Sequence, residues 1–241
     1  MLDLPSFRPE MRYGMPAADQ ILINRYYIVG YSHYFRQAKW ALEIVDVADT
    51  TVPREDHFRS DYRIPPMFRA DLQDFRGSEH DRGHLVASAN QRETRIQNSE
   101  TFLLSNMSPQ KPGFNRQVWG ELEQAVRDLH DDQEILQVYV VTGPIFDFTK
   151  AMEIVGGQDD NNVTLPIPHA YYKSVLAEND KGKFSLWSFI LPNEASDAPL
   201  HSFAVKTTEV EQKAGILLWD RLTGPEVERK KKRISRMPGT S

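Results

Sequence analysis

The chain has 241 residues, 40% hydrophobic and 26% charged, enough for one globular domain that buries near ~70% of its unfolded surface. It has no cysteine, which excludes disulfides and thiolate-rich zinc sites, and no apolar run long enough for a membrane-spanning helix. A net charge of −5 is awkward for a binder of polyanions, yet attraction acts within a Debye length of about 8 Å, so the local charge of a groove outweighs the total.

The first 25 residues lack a basic start followed by an apolar run. The expectation is a cytoplasmic protein if Met1 is native, and a secreted or periplasmic one if a leader has been removed. Residues 26–31 and 40–45, rich in Tyr, Ile, Val and Trp, predict two strands around a polar turn, with Gly30 marking a bulge. Residues 50–80 are polar and carry prolines, and predict a long loop. Phe114, Val118, Leu122, Ala125, Val126 and Leu129 recur at steps of three and four, which predicts a helix after Pro112-Gly113 with Asn115 placed to cap it. Trp119, Leu122 and Val126 read as core. Residues 135–142, 171–177 and 184–191 predict further strands, with a turn at 178–182, and 207–214 predict a short helix with a threonine cap. Residues 226–236 hold six basic and two acidic side chains. Residues 226–241 therefore read as a flexible basic tail, more readily than as a nucleic-acid handle, and leave 1–225 as a single domain.

The chemistry concentrates in residues 81–123: Asp81-Arg82-Gly83-His84, then Asn106, then Asn115 and Glu123. Phosphodiester hydrolysis needs water made nucleophilic near neutral pH, and the neutral imidazole of His84 suits that task. Amide oxygens from Asn106 and Asn115 and a carboxylate from Glu123 suit one hard cation that keeps several waters. On an α-helix the eight residues from Asn115 to Glu123 turn about 800°, or 80° beyond whole turns, and rise about 12 Å. Glu123 would then reach a cation on Asn115 through water. A lone histidine is ordinarily a surface or core residue, and only this constellation reverses that reading for His84. His80 and His84 would suggest zinc on a helix, but Gly83 argues against a helix there.

The set resembles the DNA/RNA non-specific endonucleases of the ββα-metal superfamily, which include secreted bacterial nucleases and mitochondrial endonuclease G. The likeness extends to Asp74-Phe75-Arg76-Gly77-Ser78, Leu85-Val86-Ala87-Ser88-Ala89-Asn90, Tyr139-Val140-Val141-Thr142-Gly143-Pro144-Ile145-Phe146, Ile167-Pro168-His169-Ala170-Tyr171-Tyr172-Lys173 and Phe189-Ile190-Leu191-Pro192-Asn193 in order, and spans roughly residues 20–220. It implies an α+β fold with a central antiparallel sheet carrying a ββα-metal catalytic unit, and places residues 50–80 over the substrate groove. It implies His84 as general base, Asn115 as direct ligand of Mg2+, with Mn2+ able to substitute, and Glu123 as the carboxylate holding the metal's water. Asn106 matches an asparagine that positions the site, Arg82 matches a phosphate-facing arginine, and Arg127, a candidate substrate contact, matches a further arginine of the pocket. Arg54, preferred over Arg59, matches an upstream arginine. Arg116 stands where many members have glutamine, and adds a candidate phosphate contact; Glu79 would repel one. Hydrolysis by water implies cleavage of both DNA and RNA to 5′-phosphate and 3′-hydroxyl ends. DNA and RNA are the implied partners, with a homodimer and a protein inhibitor in addition. Two alternatives stay open: a catalytically weak or regulated nucleic-acid-binding module, and a nuclease restricted to one nucleic-acid type.

Overall fold

The computed structural model describes residues 8–45, 51–157 and 160–240. Strands β1 (Gln20–Ile23), β2 (Tyr27–Ser32) and β3 (Gln37–Val45) form an antiparallel meander whose register shifts between Gly30 and Tyr31, the bulge expected at that glycine. A Cβ on Gly30 would lie 2.0 Å from Cε2 of Trp40, so the indole packs where a larger residue would clash. The hairpin β4 (Asp81–His84) and β5 (Met107–Gln110) follows, with helix α1 (Arg95–Glu100) in its connection. Helix α2 (Trp119–Asp128) comes next, then β6 (Ile135–Ile145), the small pair β7 (Ile154–Gly156) and β8 (Thr164–Pro166), β9 (Ala170–Asn179), β10 (Phe184–Pro192) and β11 (Ala204–Val205). Helices α3 (Thr207–Ala214) and α4 (Pro225–Lys231) complete the order.

The main sheet is antiparallel throughout, in the order β1-β2-β3-β6-β9-β10-β11. Period-two alternation gives it two apolar faces. Val138, Val140, Tyr171 and Val175 pack under Phe114, Val118, Trp119, Leu122 and Val126 of the α2 segment. Their neighbours Tyr139, Val141, Tyr172 and Leu176 pack on the opposite face with Val210, Leu218 and Trp219. The central strands are therefore buried on both sides, which accounts for their nearly continuous apolar sequence. The class is α+β with a central antiparallel sheet, as expected, and β4, β5 and α2 form the ββα unit on one face.

Three local expectations need correction. The cap of α3 is Lys206, with no capping side chain, because the Thr207 hydroxyl is drawn into a buried chain with Ser188 (3.0 Å), Ser174 and the Trp219 indole N–H. Asn115 is not a cap either. It lies inside the helical segment, in a π-turn over Phe114–Val118 preceding α2, with its N–H on the Lys111 carbonyl. The basic tail, expected to be flexible, is packed. Residues 225–231 form α4, and Val227, Lys231, Met237 and Thr240 are buried. Lys231 pairs with Glu211 at 3.0 Å, the Trp187 indole donates to the Arg236 carbonyl, and Met237 joins the core that holds α2. Pairs of Glu226 with Lys230 and Glu228 with Lys232 neutralise part of the charge run.

Candidate active site

The hairpin and α2 present the predicted residues in two linked groups. Alternation along β4 sends Arg82 and His84 to one side, where both meet Phe58: the Arg82 guanidinium carbon lies 4.1 Å over its ring and the His84 ring stands edge-on at 5.9 Å. Phe102 closes the cage, 4.9 Å from the His84 ring and 5.5 Å under the Arg54 guanidinium. Gly83 between them is required, since a Cβ there would fall 1.9 Å from Oε1 of the buried Gln110 side chain. The Nε2 of His84 is shielded and has no hydrogen-bond partner among the described residues. An orphaned buried imidazole nitrogen asks for a reason, and one is a reacting water or phosphate that belongs there. Burial, and then the Arg54 charge, pull the His84 pKa down to about 3. The ring is neutral at working pH, the state a general base needs.

Asn106 braces this strand. Its Oδ1 accepts the Val86 N–H at 3.0 Å, and its Nδ2 donates to the Val86 and Thr101 carbonyls, each at 3.0 Å. Its amide is fully used in holding the chain just beyond His84, so Asn106 is not available as the oxygen ligand that its residue type suggested. Of the two upstream arginines, Arg59 spends its guanidinium on the His57 and Ser99 carbonyls. Arg54 is the one whose charge acts on both His84 and Glu123.

The second group is tied to the start of β4. Asn115 donates through Nδ2 to Asp81 Oδ2 at 2.9 Å, and Arg116 grips the same carboxylate with Nε at 2.9 Å and Nη2 at 2.7 Å. Burial acts to raise the Asp81 carboxyl, but the bonds from Arg116 and Asn115 outweigh it and hold it below the usual carboxylate range. Arg116 is exposed and could meet a phosphate only by sharing itself with Asp81. The π-turn alters the relation of Asn115 to Glu123. It adds one residue to the helical path, so eight positions advance like seven α-helical steps, about 700° and only about 20° short of two whole turns. Both side chains then share one face, rather than the adjoining faces expected from an unbroken helix. Glu123 is raised by burial and held back by Lys173, Arg127 and Arg54. Arg127 donates to Asn90 Oδ1 at 3.1 Å and to Gln124.

A hard cation fits this arrangement. The bond to Asp81 turns the Asn115 amide so that its neutral oxygen faces away from that carboxylate, and Glu123 follows on the same helical face. Among the described residues no cluster of three or more His, Asp or Glu is arranged to hold a metal, so a cation here would rely on Asn115 and on water.

Comparison with known proteins identifies the family. The family model described as DNA/RNA non-specific endonuclease matches residues 8–223. The chain belongs to that family. It is 34% identical over 232 residues to Nuclease C1 of Cunninghamella echinulata, covering 90% of each chain. It is 32% identical over 220 residues to the mitochondrial endonuclease G of Homo sapiens, covering 86% of this chain and 71% of that one. A solved EndoG, crystallised with EndoGI in a study of EndoG inhibition, superposes with a TM-score of 0.81 at 33% identity, covering 89% of this chain and 91% of that one. Endonucleases of this family hydrolyse DNA and RNA with the help of a metal ion. Several relatives are named as mitochondrial. In this family member no helix among the described residues is long and apolar enough to cross a membrane.

Sequence reasoning passed over Asp81 as an anchor for Asn115 and Arg116, the aromatic pair Phe58 and Phe102, and the bridging amide Asn90. Asp81 stood inside the quoted motif, where its acceptor role could have been considered. The aromatic residues gave no signal, because only folding brings residues 58, 84 and 102 together.

Proposed function

We propose that the protein is a Mg2+-dependent endonuclease that cleaves both DNA and RNA, with His84 as general base. The observation that carries this reading is the neutral His84 ring, its Nε2 shielded and without a partner among the described residues, in a cage flanked by Arg54 and Arg82. His84 takes a proton from water as its oxygen attacks phosphorus, in line with the departing 3′ oxygen. Arg82, Arg54 and Arg127 face the phosphate and balance the charge that grows on its oxygens. Asn115 would hold the cation directly and Glu123 through water; bound there, Mg2+ supplies Lewis-acid stabilisation of the phosphoryl and leaving oxygens, a role Mn2+ can also fill. Arg116 adds a contact at the edge of the groove. The departing 3′ oxygen takes a proton from a solvent water, so the products carry 5′-phosphate and 3′-hydroxyl ends, and His84 later returns its proton to solvent. Nothing in the reaction uses the ribose 2′-hydroxyl, so sugar type does not gate it. A protein inhibitor, of the kind the solved EndoG complex contains, would have the same groove to block.

The metal assignment is tested by Asn115→Ala. The Mg2+ concentration giving half-maximal cleavage is expected to rise about tenfold or more, with the melting temperature little changed. An unchanged Mg2+ titration would remove Asn115 as the ligand.

A further inference from the structure

Beneath α2, three adjacent central strands place polar residues where alternation otherwise supplies Ala, Val and Tyr. Glu43 on β3, Thr142 on β6 and Lys173 on β9 lie on the face that carries Val140 and Tyr171, and all three are buried. Burying a carboxylate and an ammonium costs several kcal/mol per ion unless close partners repay it. Simple packing does not explain them. Their contacts lead to the active-site helix. Glu43 Oε1 accepts from Asn90 Nδ2 at 3.0 Å, and Asn90 Oδ1 accepts from Arg127 Nη1 at 3.1 Å. Glu43 Oε2 accepts from Gln91 at 3.2 Å; Gln91 accepts in turn from Gln97, which closes the capping box of α1 with Thr94. Lys173 donates to Thr142 at 2.8 Å and lies 4.6 Å from the ring centre of Trp119, one turn before Glu123. The buried Glu43 and the half-buried Glu123 thus share one region with Lys173 and Arg127, where burial raises both carboxyls, Glu43 to about 7, and lowers the Lys173 ammonium, while each opposite charge acts against the shift.

The Asn90 amide is directional. Its NH2 end faces the acceptor Glu43 and its oxygen faces the donor Arg127, and a flip would lose both bonds. We propose that Glu43, acting through Asn90, is a positioning residue for Arg127, with Lys173 balancing the buried charge beside Glu123. The carboxylate sets the amide, and the amide sets the guanidinium on the side of α2 that meets the substrate. The inference rests on the reading that Arg127 contacts the substrate phosphate.

The test uses the full chain and two readouts: affinity for a fluorescein-labelled duplex oligonucleotide in EDTA, where no turnover occurs, and KM and kcat in Mg2+. Glu43→Gln and Asn90→Ala are each expected to weaken oligonucleotide binding and raise KM by about three- to tenfold, with a smaller change in kcat. In an Arg127→Ala background, Asn90→Ala is expected to add nothing further. The proposal is overturned if Asn90→Ala weakens binding equally with and without Arg127. It also falls, alone, if Arg127→Ala weakens binding while Glu43→Gln and Asn90→Ala do not. If Arg127→Ala binds and turns over like the parent protein, the reading of Arg127 itself fails and takes the proposal with it. Should Glu43→Gln fail to fold, Asn90→Ala carries the test, since it leaves the carboxylate and its Gln91 contact in place.

Discussion

Replacing His84 with alanine is expected to slow phosphodiester cleavage about 10²- to 10⁴-fold, the range over which a positioned general base contributes. Mg2+ affinity and fold should persist. The Asn115 group is anchored by Asp81, and the strand beyond His84 is braced independently by Asn106. The lost contacts are ring edges against Phe58 and Phe102, and Nε2 has no bond to lose. Measured kcat beside a thermal melt separates chemistry from folding. Near-normal turnover would remove His84 as the base.

The second large effect concerns the end of the chain. Deleting residues 225–241 is expected to destabilise the protein strongly, although the charge run alone suggests a dispensable tail. Truncating a side chain as buried as Met237 ordinarily costs about 2–5 kcal/mol. In a chain of this size each kcal/mol lowers Tm by about 2–4 °C, so Met237 alone accounts for a fall of roughly 4 to 20 °C. Deletion also removes the acceptor of the Trp187 indole and the partner of Glu211. Because Met237 shares a core with Leu122, Ala125 and Val126, the helix bearing Glu123 and Arg127 should loosen and heat inactivation should come early. A truncated protein that melts within about 2 °C of the full chain would contradict this packing.

What could be read from the sequence follows from where its signals are local. β2, β3, β6, β9 and β10 were visible because long apolar runs of β-branched and aromatic residues leave little choice, and Gly30 marked its bulge. The ends of α3 were visible too, but its cap was not, since a buried hydroxyl chain with Ser188 outcompetes capping. β1 has four residues, too few for a clear period. α1 has six, and its only local signal is the Thr94 to Gln97 capping box. The π-turn at Phe114–Val118 is decided by how the helix seats on the sheet, and it changes which face Asn115 shares. The tail hid its packing because Val227 and Met237 are ten residues apart amid charge. At the site, the motif residues were readable from their chemistry, whereas Glu43 and Lys173 looked like ordinary polar positions in strands until folding put them beneath α2.

The most direct measurement incubates the purified protein with supercoiled plasmid, linear duplex DNA, single-stranded DNA and RNA, each in Mg2+ or EDTA. A Mg2+-dependent endonuclease of both nucleic acids degrades all four substrates in Mg2+ and none in EDTA, and converts supercoiled plasmid through open circles. Cleavage of one substrate class alone, or cleavage that persists in EDTA, would contradict that reading.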